Sequence, residues 1–130
     1  MTGPLLVFGQ NGQLARELVR TGEAEGWAVV ALGRTDADIT DLSDVENCVS
    51  AYRPAVIVNA AAYTAVDAAE TEADAAFAIN AAGPANLAAV AARSALPLLH
   101  VSTDYVFDGR KDAAYTEDDP IRPLGGVGRR

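Results

Sequence analysis

Four short runs carry residues whose types and spacing could do chemistry. The first, Gly9-x-x-Gly12-x-x-Ala15, directly follows the apolar run Leu5–Phe8 and opens a helix-forming stretch. In that setting Gly9 permits a tight turn, Gly12 lets a pyrophosphate approach the backbone, and the small Ala15 keeps the helix close to the strand. Backbone N–H groups and the positive end of the helix then form an anion site. An ordinary strand-to-helix turn is the alternative. The second run is Gly33-Arg34, at the expected end of the next strand, where an NAD-binding fold often places an acid for the ribose hydroxyl. Arg34 could instead pair with the 2'-phosphate of NADP, which predicts a preference for NADPH, or it could be a solvated surface arginine. The remaining runs, Asn59-Ala60-Ala61-Ala62 and Ser102-Thr103-Asp104-Tyr105, stand at the carboxyl ends of two further predicted strands. Open α/β sheets bind ligands at that edge. The alanines leave room for a cofactor ribose and the Thr103 hydroxyl could hydrogen-bond a substrate carbonyl; alternatively the alanines only pack and the hydroxyl caps a turn.

Other reactive residue types form no such pattern. Cys48 has no nearby histidine or second cysteine and reads as structural or incidental. His100 falls inside an apolar run and reads as a satisfied core or edge histidine rather than a catalytic one, and neither residue belongs to a metal-ligand spacing. Glu70, Glu72 and Asp74 are too dispersed for a carboxylate pair, while Glu117, Asp118 and Asp119 read as a solvated run.

The elements that must position these groups alternate. Apolar runs at Leu5–Phe8, Ala28–Leu32, Ala55–Val58 and Leu98–Val101 suit buried parallel strands, with a helix-forming segment in each interval. Strand then helix, repeated, predicts an α/β fold with right-handed crossovers. The first helix is expected over about Gln13–Thr21. A second starts near Ser43, where Ser43 and Glu46 have capping-box spacing, and ends before Pro54. A third, or two in series, fills roughly Ala65–Ser94, with Gly83-Pro84 as an interruption or a fresh helix start.

The chain has 130 residues, half of them hydrophobic, enough for one domain with a core. A formal net charge of -8 argues against nucleic acid or a membrane surface as partner, so an anionic ligand must be met locally. The single cysteine allows no internal disulfide, and the start MTGPLLVFGQNG lacks the basic, then apolar pattern of a signal peptide, so a cytoplasmic protein is expected. Charges at Asp67, Glu70, Glu72, Asp74 and Arg93 are expected to break the alanine-rich stretch too often for a membrane span. From Gly109 the chain is charged and rich in Pro and Gly, which divides it into residues 1–108, the folded domain, and 109–130, a loop-like or disordered tail.

Several strings resemble dTDP-4-dehydrorhamnose reductases, within the extended short-chain dehydrogenase/reductases: GQNGQLARELV, DITD, VIVNAAAYTAVDAAETE, INAAGPANLA, HVSTDYVFDG, YTEDDP and RPLG. The glycine motif is common among dehydrogenases, but NAAAYTAVD and STDYVFDG in this order are specific. The resemblance implies a Rossmann-like, doubly wound parallel sheet, truncated after about five strands, with the C-terminal substrate domain absent. It implies NADPH, with NADH as the alternative cofactor, and reduction of the 4-keto group of dTDP-4-dehydro-L-rhamnose to give dTDP-L-rhamnose. Residue by residue, it assigns the pyrophosphate turn to Gly9, Gly12, Gln13 and Leu14. The adenosine ribose or its phosphate falls to Arg34, the adenine to Asp38 and Ile39, and the rest of the cofactor wall to Ala60, Ala61, Ala62 and Tyr63. Thr103 and Asn80 become members of the catalytic group, and Asp104 and Tyr105 the substrate edge, with the dTDP-sugar as a partner of a full-length protein.

The sequence departs from that pattern where the proton donor belongs. Such reductases use a tyrosine, with a lysine four residues later, as Y-G-x-x-K soon after the proline. Here Val127 stands at the tyrosine position, in Pro123-Leu124-Gly125-Gly126-Val127-Gly128-Arg129-Arg130, and the lysine has no counterpart. Tyr115 belongs to the YTEDD segment and does not fill the gap. Loss of general acid catalysis alone typically costs about 10²- to 10⁴-fold, so these residues alone are expected to bind cofactor and be catalytically incomplete. Two other readings stand beside this one: a non-catalytic NADP-binding regulatory module, like the beta subunit of methionine adenosyltransferase, and another extended family member such as a nucleotide-sugar epimerase or dehydratase. A sheet with an open edge also predicts self-association.

Overall fold

The computed structural model describes residues 2–61, 73–103 and 106–125. Four strands form one parallel sheet in the order β2-β1-β3-β4: β1 is Leu5–Phe8, β2 Val29–Leu32, β3 Val56–Asn59 and β4 Leu98–His100. This is the expected doubly wound α/β architecture, with four strands among the described residues rather than about five. The apolar run Leu98–Val101 is a strand only through His100, although the Val101 N–H still donates to the Asn59 carbonyl at 3.4 Å.

Alternation along β1 sends Leu6 and Phe8 to one face and Val7 to the other. Leu6, Phe8 and Ile57 pack with Val45, Val49, Leu87, Val90 and Ala91, whereas Val7 and Val58 pack with Ala15. Both faces are thus covered, which is why the strands read as unbroken apolar runs. Helix α1, Gln13–Ala24, covers the second face. Helices α2, Leu42–Tyr52, and α3, Ala73–Arg93, cover the first.

The cap of α2 differs from the Ser43 and Glu46 box. Asp41 is the N-cap, its carboxylate accepting from the N–H groups of Ser43 and Asp44 at 3.0 and 3.4 Å. An aspartate at that position serves better than a serine two residues into the helix, because it meets N–H groups that have no intrahelical acceptor.

Gly83-Pro84 does not interrupt α3. The helix runs through a π-helical turn, Ala78–Ala82, into an α-helical segment Gly83–Arg93 with the proline in its first turn. Proline lacks the N–H that a regular ladder would need, and the wider turn accommodates it. Between Asp74 and Arg93 the helix carries no charge, so by length and composition it could cross a membrane, against the expectation from charge spacing. Leu87, Val90 and Ala91 are nevertheless buried against the sheet, the use a core helix makes of its apolar face.

Residues 107–125 form turns without helix or strand, and residues 106–125 carry contacts of their own. The Arg122 N–H donates to the Val106 carbonyl at 2.8 Å, Tyr115 stacks on Phe107 with centroids 4.2 Å apart, and Lys111 pairs with Asp119 at 2.6 Å.

Candidate nucleotide-binding site

The carboxyl ends of β1, β2 and β3 open into a cleft of about 550 Å³. Its floor is the turn after β1. Gly9 has φ +110°, and its N–H and that of Gln10 donate to the Leu32 carbonyl at 2.9 and 3.1 Å, tying the turn to β2. A β-carbon on Gly9 would lie 2.6 Å from the Ala60 carbonyl carbon and the Ala61 nitrogen. Glycine is therefore required on two counts, backbone conformation and close approach.

Gly12 differs. Its backbone is extended, with φ -79° and ψ 162°, and a β-carbon there would meet nothing nearer than the Gly9 carbonyl oxygen at 3.7 Å. Packing of the chain itself thus leaves space at Gly12, on the cleft side. Helix α1 starts one residue later with no side-chain cap and no acid in its first turn. The first N–H groups of a helix have no acceptor within it, so Gln13 and Leu14 present donors at its positive end. Behind them Ala15 is fully buried against Val7 and Val58, the close helix-strand approach that a small residue allows.

The second wall follows β2. The Gly33 N–H donates to an Asp36 carboxylate oxygen at 2.8 Å, closing a turn that carries exposed Arg34 into the cleft lining. Asp38 and Ile39 line it next. The Asp38 carboxylate accepts from the Thr40 hydroxyl at 2.6 Å and the Thr40 N–H at 2.9 Å, and these bonds hold it below the usual carboxylate range. Ile39 is buried, and its carbonyl accepts from the Asn86 side chain of α3 at 2.9 Å. The third wall is Ala60 and Ala61 after β3, faced by Ala75, Ala78 and Ile79 of α3.

Of the residues singled out from the sequence, the cleft gathers Gly9, Gly12, Arg34, Asp38, Ile39, Ala60 and Ala61. Gln13 and Leu14 stand at the helix start beside it, exposed and outside its lining. Asn80 is buried in the π-helical turn of α3, next to the lining residues Ala78 and Ile79. Thr103, half-buried beyond β4, is also outside the lining; its carbonyl accepts from the Val106 N–H at 3.3 Å. Ala62, Tyr63, Asp104 and Tyr105 lie outside the described residues. Sequence reasoning missed Ala75, Ala78 and Ile79, whose i, i+3, i+4 spacing marks one helix face. It also missed Asn86, for which no local signal existed.

Burial, then the charges of Asp44 and Asp36, push the Cys48 thiol up, away from the thiolate form that a nucleophile uses. Among the described residues no group of three His, Cys, Asp or Glu could hold a metal ion.

A family model described as the RmlD substrate binding domain matches residues 2–130. The chain belongs to this family. A relative of this RmlD family chain, the dTDP-4-dehydrorhamnose reductase of Streptomyces griseus, is 48% identical over 118 residues, 91% of the chain and 39% of the relative. That of Aggregatibacter actinomycetemcomitans is 46% identical over 121 residues, 92% of the chain and 41% of the relative. The chain spans about two fifths of the length of these curated relatives. Among solved structures, the dTDP-4-dehydrorhamnose reductase of Bacillus anthracis in complex with NADP matches with a TM-score of 0.92 at 36% identity, covering 98% of this chain and 46% of that one. The UDP-glucose 4-epimerase of Thermus thermophilus matches with a TM-score of 0.85 at 21% identity, covering 96% of this chain and 46% of that one, a likeness of fold alone.

Proposed function

We propose that the cleft binds NADPH and that these residues are the cofactor half of a dTDP-4-dehydrorhamnose reductase site. Gly12 carries the reading. It is a glycine whose backbone and packing would both accept a side chain, set where the uncapped start of α1 meets the cleft. A pyrophosphate on the Gln13 and Leu14 N–H groups accounts for it. The NADP seen with the Bacillus anthracis reductase supports the same choice of cofactor.

In this reading Arg34 pairs with the 2'-phosphate, Asp38 and Ile39 flank the adenine, and Ala60, Ala61, Ala62 and Tyr63 follow the cofactor along the strand ends. Bound NADPH would supply the hydride for the 4-keto group. Thr103 would hydrogen-bond the substrate carbonyl, Asn80 would order the site from α3, and Asp104 and Tyr105 would border the nucleotide-sugar. A partner of that kind accords with a protein of the cytoplasm.

The proton donor is not supplied by Tyr115. Its hydroxyl donates to Asp108 at 3.1 Å, and Lys111, although 5.7 Å from its ring centre, is committed to Asp119. With Val127 at the tyrosine position, we infer that these 130 residues hold cofactor without appreciable turnover. Saturable quenching or enhancement of NADPH fluorescence, without oxidation when dTDP-4-dehydro-L-rhamnose is added, is the expected result. Turnover of about one per second would contradict the incomplete-site reading.

A further inference from the structure

Asn59 ends β3 as a residue only 1% exposed, directly beside His100 at the end of β4. Its Oδ1 accepts from the Ala61 N–H at 3.1 Å, and its Nδ2 lies 3.1 Å from His100 Nδ1. The first bond fixes the second. A backbone N–H can only donate, so the amide oxygen must face Ala61 and the amide nitrogen must face the imidazole. That nitrogen can only donate, so His100 Nδ1 must accept and the ring must carry its proton on Nε2.

We propose that Asn59 and His100 are a positioning pair for the pyrophosphate turn, an inference that rests on the dinucleotide reading of the cleft. His100 sets the amide of Asn59, which holds the Ala61 N–H, and the Ala60 and Ala61 backbone is the surface on which Gly9 sits at β-carbon contact distance. The ends of β4, β3 and β1 are linked in that order, so a change at position 100 reaches the glycine turn without touching the cofactor. A buried amide left without its imidazole acceptor turns or admits water, and the Ala61 N–H loses its fixed acceptor.

The single histidine makes the test direct. In the ¹⁵N-labelled full chain, the imidazole spectrum should show the Nε2–H tautomer. His100→Leu should speed Ala61 amide exchange and weaken NADPH binding by about tenfold each, and His100→Gln, whose amide oxygen can accept from Asn59, should restore both. An Nδ1–H tautomer overturns the pairing, as does a folded His100→Leu variant with unchanged exchange and affinity. If the unaltered chain binds no NADPH, the dinucleotide reading fails, while the tautomer and the Ala61 exchange still decide the pair.

Discussion

Gly9 and Ala60 approach so closely that a β-carbon on Gly9 would stand 2.6 Å from the Ala60 carbonyl carbon. Two strands that are neighbours in the sheet therefore stay in backbone contact one residue past their last ladder pair, Phe8 with Asn59. The contact gives the cleft a floor of main chain rather than side chains; the N–H groups of that floor are taken by the Leu32, Gly9 and Phe8 carbonyls and the Asn59 side chain, so the donors left for an anion are those at the start of α1.

Gly9→Ala should therefore cost at least about 2 kcal/mol, combining a φ of +110° with a clash against backbone that cannot rotate away. Urea denaturation checks this. A midpoint equal to the parent's would mean the turn is more pliant than its geometry implies.

Arg34 should decide between the two nicotinamide cofactors. Loss of a charge-assisted contact to the 2'-phosphate in Arg34→Ala should weaken NADPH binding by about tenfold and leave NADH unchanged. Equal losses for both cofactors would show Arg34 acting elsewhere than on the phosphate.

Gly83→Ala sets two effects of opposite sign against each other. Gly83 has an ordinary helical backbone, φ -58° and ψ -54°, so alanine should gain about 0.5–1 kcal/mol from propensity. Its β-carbon, however, would fall 2.5 Å from Ile39 Cδ1, and overpacking costs about 1–3 kcal/mol. The net should be a loss, with Ile39 displaced toward the nucleotide. In an Ile39→Val background, which lacks that methyl but keeps a γ-carbon near the 2.7 Å position of Cγ1, the loss should shrink, and thermal melts of the parent and the three variants would show it.

Asp38 supplies a pH dependence. Its carboxyl is held down first by the Thr40 hydroxyl and next by the Thr40 N–H. Since its folded value lies below an unfolded value of about 3.9, its contribution is complete above that pH and is lost as pH falls through the folded value. In Thr40→Val the N–H remains and the hydroxyl goes, so the carboxyl should rise part of the way back. A ¹³C titration of Asp38 with an unmoved midpoint would contradict the assignment.

The fold was legible because β1 and β3, covered on both faces, announce themselves as apolar runs, and the glycine turn because Gly9 and Ala15 each answer a local demand of backbone or packing. What the sequence hid was long-range. Asn86 reaches Ile39 across 47 positions and Asn59 reaches His100 across 41, and no periodicity marks either. The sequence leaves the α2 cap ambiguous because two capping residues, Asp41 and Ser43, compete within one turn, and the choice depends on where the chain leaves Asp38.

The measurement that most directly tests the NADPH reading is a calorimetric titration of the chain and its Gly12→Val variant, with melting temperatures taken on both. The extended backbone at Gly12 accepts a side chain, and a β-carbon there meets nothing nearer than the Gly9 carbonyl oxygen at 3.7 Å. One NADPH per chain is predicted for the parent, and at least about a hundredfold weaker binding for Gly12→Val, with a melting temperature lowered only by the few degrees, about 1 kcal/mol, that a valine at the α1 N-cap costs. Absence of NADPH binding to the parent, or equal binding to both, would contradict that reading.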